Sequence, residues 1–79
     1  MYYELNAEHI SRSTATKLLD ATDICIINAR MSDTFSNCAL IVVGNEEDAK
    51  AMRELLWAAN GGACVEMYTM SADELEEFL

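Results

Sequence analysis

The sequence predicts an α+β fold, a two-layer sandwich of order βαββαβ closed by a short C-terminal helix. Three observations carry this expectation. Cys38–Val43, C-A-L-I-V-V, is the longest unbroken apolar run and ends at Gly44. Both of its alternating residue sets are apolar, which fits a central strand buried on two faces. Strand-like and helix-like patterns alternate along the whole chain. There is no proline and there are only three glycines, so loops are expected to be short.

Each element has its own warrant. Tyr2–Leu5, reaching towards Ala7, alternates as a first strand. Helix 1 lies within Glu8–Ala21, where Ile10, Thr14, Leu18 and Ala15, Leu19 fall at spacings of four. Asn6, Ser11 and Ser13 are all candidate N-caps. Ile24–Met31 is a second strand, and the polar stretch 32–37 suits a hairpin into the central strand. Asn45 is placed to cap helix 2, with Glu46, Glu47 and Asp48 in the first turn, where the helix dipole favours acids. Its buried stripe is expected to be Ala49, Met52, Leu55, Leu56 and Ala59, and Asn60-Gly61-Gly62 ends it. Ala63–Met70 is a fourth strand. Ser71 then caps a last helix with Glu74 at capping-box spacing, and Leu75, Phe78 and Leu79 make its apolar stripe.

This order resembles the ferredoxin-like split βαβ arrangement. Right-handed crossovers then place strands 1 and 3 in the middle and strands 2 and 4 at the edges. A three-stranded antiparallel sheet with helices on one face is the alternative. The length of 79 residues fits one domain over 1–79. Helices 1 and 2 cover only one sheet face, so half of the apolar run needs a second cover: the terminal helix, or a second copy in a homodimer.

Charge narrows the function classes. Fourteen acids face five bases, for a net charge of −9. Residues 1–53 hold eight acids and all five bases; residues 54–79 hold six acids and no base. Direct nucleic-acid binding through phosphates is disfavoured, because it needs Lys and Arg. Tyr2, Tyr3 and Tyr68 on strands do not change that, since no basic rim accompanies them. Acid excess also serves plain solubility. Cys25, Cys38 and Cys64 sit among apolar residues without CxxC or Cys/His zinc spacing, so free, unreactive thiols in a reducing, cytoplasmic setting are expected. The N-terminus has no signal-peptide pattern and no stretch is long enough to span a membrane.

No motif names a reaction. His9 lies between Glu8 and Ile10 without a nucleophile in context and is expected to face solvent. Glu46, Glu47 and Asp48 lack the alternate spacing of a calcium loop. No catalytic, cofactor or metal residue is therefore expected. Trp57 falls off the buried stripe beside Lys50, Arg53 and Glu54; it is either covered by strand 4 or the last helix, or is an interface anchor. The acids Glu54, Glu66, Asp73, Glu74, Glu76 and Glu77 are the candidate partner-binding residues together with Trp57. As a solvated face of an amphipathic helix, the last four also have a purely structural explanation.

In size, acidity, compact α/β pattern and lack of a catalytic motif, the chain resembles the small phage-encoded type I anti-CRISPR proteins. That resemblance implies a non-enzymatic inhibitor acting in the host cytoplasm as a DNA mimic. It would bind a basic nucleoprotein such as the CRISPR surveillance complex and block target DNA. The other readings are a ferredoxin-like regulatory or ligand-sensing domain that dimerises through its sheet and, last, a small enzyme.

Overall fold

A computed structural model describes residues 1–35, 37–59 and 65–79. The expected Asn60-Gly61-Gly62 stop and the first two residues of the expected fourth strand, Ala63 and Cys64, lie outside the described residues. The elements run β1 (Tyr2–Glu8), α1 (Arg12–Ala21), β2 (Ile26–Met31), β3 (Cys38–Val43), α2 (Glu46–Ala59), β4 (Val65–Met70) and α3 (Ala72–Phe78). The four strands form one antiparallel sheet in the order β2-β3-β1-β4. The apolar run is thus a central strand, and a three-stranded sheet is excluded.

Strand alternation sorts the residues into two faces. Tyr3, Leu5 and Ala7 of β1 lie level with Val43, Ile41 and Ala39 of β3. All of these but the half-buried Tyr3, which packs against them, form the main core with Ile10, Ala15, Ala49, Met52, Leu56 and Val65. Both α1 and α2 therefore cover this face. The opposite face carries Glu4, Asn6 and Glu8 of β1, level with Val42, Leu40 and Cys38 of β3. Beside them stand Asn28 and Arg30 of β2 and Glu66, Tyr68 and Met70 of β4.

That second face is covered by α3. Val42 is fully buried, and Cys38 and Met70 nearly so, although none belongs to the core beneath α1 and α2. The Arg30 guanidinium lies 4.3 Å from the centroid of the Phe78 ring, a cation–π contact that pins the end of α3 to the far edge strand. The fold is consequently helices, sheet, helix. The packing of α3 is lighter than that of the core: none of its residues is fully buried, and Leu75 and Phe78 are half-buried. Asn6 and Asn28 each keep a buried side-chain oxygen on this face with no partner among the described residues.

The caps follow local chemistry. Asn45 Oδ1 accepts from the Asp48 amide at 2.8 Å. Ser71 and Glu74 close the reciprocal capping box of α3, at 3.2 and 3.1 Å. Ser11, one of the three candidates, caps α1 through the Thr14 amide. Several expectations need correction. β1 runs on to Glu8 because its whole length pairs with β3. β2 begins only at Ile26, and a register shift between Ile26 and Asn28 interrupts its pairing. Leu55 is 40% exposed and Ala59 is exposed, so the stripe of α2 reduces to Ala49, Met52 and Leu56. Leu79 is exposed beyond the last turn of α3. Cys25 precedes β2 and is exposed rather than packed.

Candidate functional site

The residues that chemistry singles out fall on two opposite surfaces. The first is the α3 side of the sheet. Period-two alternation puts Glu4, Glu8 and Glu66 there, and α3 adds Asp73, Glu74, Glu76 and Glu77. Glu4 is level with Tyr68, so Glu66 is its diagonal neighbour on β4, about 7–8 Å away. The Tyr68 hydroxyl donates to Glu66 Oε2 and fixes that carboxylate along the strand. Against these seven acids stands one base, Arg30, already engaged with Phe78. The side thus carries six net negative charges. The helical layer differs: α1 and α2 hold five acids and four bases, a net of one negative charge.

Two titratable groups report this field. The Cys38 thiol is pushed up, first by burial and then by Glu8, Glu66 and Glu4 around it. All three carboxylates therefore act on one point of the sheet. Glu4 is also raised, by burial, with Arg30 opposing. A thiol held protonated is the reverse of what a cysteine nucleophile needs. That matters because Cys38 shares a hollow of ≈ 230 Å³ with Glu8, His9, Phe35 and Asn37, a set that resembles a catalytic group by composition alone. His9 is exposed, as the sequence suggests, with φ at 58°. No group of three or more His, Cys, Asp or Glu suited to a metal ion exists among the described residues.

The second surface is the outer side of α2. Trp57 is 57% exposed. Neither β4 nor α3 covers it, which removes the internal-packing explanation. With Lys50, Arg53 and Glu54 it borders a shallow hollow. Glu54 and Trp57 consequently lie across the sheet from Glu66 and α3, so the seven candidate partner-binding residues do not share one surface. Glu74 is only partly available, because its side chain caps the Ser71 amide. Sequence reasoning left out Glu4 and Glu8; their even-numbered spacing on β1, the same phase as Asn6, is the signal that places them beside Glu66.

No described helix is long and apolar enough to cross a membrane. No family model, curated protein or solved structure matches this chain.

Proposed function

We propose that this chain is a non-enzymatic inhibitor whose α3-side carboxylates stand in for nucleic-acid phosphates. In this reading it binds a basic nucleoprotein, of the kind typified by the CRISPR surveillance complex, in the cytoplasm of a host cell. The observation that supports it is the one-sided charge: Glu4, Glu8, Glu66 and the acids of α3 share one side, and four of the five bases sit on the other. Carboxylates carried on diagonal strand positions whose backbones are about 7–8 Å apart can meet the Lys and Arg of a DNA channel without ordering a flexible chain. Binding then excludes DNA by competition and weakens as salt rises.

The strand order supports assigning the fold to the ferredoxin-like arrangement. The competing reading, a sheet-to-sheet dimer of a sensing domain, is disfavoured by α3, which already occupies the face such a dimer would use.

The test is displacement of labelled target DNA from the CRISPR surveillance complex. Glu66→Lys, Glu76→Lys and Glu77→Lys combined should weaken inhibition by roughly tenfold or more while leaving the circular dichroism spectrum unchanged. Glu54→Lys, on the opposite layer, should leave inhibition intact; its loss instead would move the contact to the Trp57 surface. A triple reversal at full strength, or a complex that holds DNA and this protein together, refutes the proposal.

A further inference from the structure

We propose that the cleft between α1 and the β2–β3 edge binds a small monocarboxylic acid with a short apolar tail. This site is independent of the acidic surface and lies on the other side of the sheet, so its failure leaves the inhibitor reading untouched. Ala15 and Leu19 of α1, Ala29 and Met31 of β2, and Ala39 and Ile41 of β3 form its walls. Three of these are alanines facing one another from three elements, and their short side chains leave a hollow of ≈ 120 Å³. An engineered apolar cavity of about 150 Å³ holds a benzene molecule, so this one has room for a tail of about four or five carbons.

The mouth is polar. Arg12 and Thr16 stand on the same edge of α1 as Ala15 and Leu19. Arg12 forms no ion pair among the described residues, in a chain with fourteen acids. The first turn of α1 contains no acid, whereas those of α2 and α3 do. Arg30 reaches the cleft from β2, but its guanidinium lies over Phe78 on the opposite face. Arg12 is therefore the one charge at the mouth. An apolar pocket with a single cation at its rim selects an amphipathic anion, since a guanidinium pairs with a carboxylate in bidentate fashion. The acids of the α3 side are separated from it by the thickness of the sheet, and salt at physiological strength screens their repulsion over about 8 Å.

The experiment is an amide-resolved NMR titration of the full chain with hexanoate, hexanol and acetyl-glycyl-leucine. Hexanoate should shift the Thr16, Ala29 and Met31 amides saturably, with a Kd on the order of millimolar for so small a ligand. Hexanol should bind about tenfold more weakly, the size of one charge-assisted hydrogen bond. Arg12→Gln should cost hexanoate the same factor and leave hexanol unchanged. Ala29→Leu, at an exposed position, should fill the hollow and abolish both without unfolding the chain. Absence of saturable shifts, equal binding of hexanol, or an unaffected Arg12→Gln variant would overturn the proposal. Tighter binding of the dipeptide than of hexanoate would overturn the small-acid assignment in favour of a peptide C-terminus.

Discussion

Replacing Phe78 by alanine removes the one aromatic that anchors α3 over the second sheet face. Truncating a fully buried Phe costs about 3–5 kcal/mol. Phe78 is half-buried, so about half of that range applies. The stacked Arg30 adds about 0.5–1 kcal/mol at a partly exposed site. The expected loss is then about 2–3 kcal/mol. A chain of 79 residues has roughly 4–12 kcal/mol in total, so the variant should fold but melt roughly 10–20 °C lower. Thermal and urea denaturation followed by circular dichroism measure this directly. Arg30→Gln alone and the double variant complete a cycle whose coupling should be about 0.5–1 kcal/mol. A Phe78→Ala variant melting within about 2 °C of the parent would show that α3 is not the cover of Val42. A strictly additive cycle would remove the Arg30–Phe78 contact as its anchor.

Two further predictions use the electrostatics of the same face. Burial raises Glu4 above its ordinary value of 4.5, so the folded state holds its proton more tightly than the unfolded one. Stability is then lost as pH rises from the ordinary value through the folded one. Glu4→Gln should therefore be more stable than the parent at neutral pH and equal to it below about pH 4, as urea midpoints across pH would show; a benefit independent of pH contradicts the burial argument. The exposed Cys25 should alkylate with iodoacetamide in the native state, whereas Cys38, buried and ringed by carboxylates, should react only after unfolding. Equal native rates for the two, read by mass spectrometry of the peptides, would contradict that placement.

The elements were legible because their causes are local. The apolar run Cys38–Val43 has two apolar faces and needs two covers, and it has them: α1 and α2 on one side, α3 on the other. Asn45 and the Ser71–Glu74 box were readable because a cap is a short-range hydrogen bond. What sequence order could not assign was the side of the sheet on which a helix lands. Glu54 and Glu66 are twelve residues apart, yet the sheet separates them, whereas Glu8 and Glu66 act on the same thiol. Leu55 was misplaced for a related reason: the core under α2 is narrow, and a third helical row reaches beyond it to solvent.

The position of β1 has a consequence for the order of events during synthesis. Of the four strands of the sheet it is made first, and it sits in the middle, with Tyr2 level with Met70 and Glu8 level with Cys38. One of its edges must wait for residues 38–43 and the other for residues 65–70. At about 5–20 residues per second, the growing chain leaves β1 unpaired for several seconds. During that interval Leu5 and Ala7 are uncovered and both backbone edges are open to any other strand. Glu4 and Glu8 alternate with those apolar side chains, so every nascent copy presents like charge to its neighbours along the strand that would otherwise stick. Charged side chains on an open strand disfavour edge-to-edge pairing, so the carboxylates that mark the finished surface are also placed to oppose association of unfinished chains.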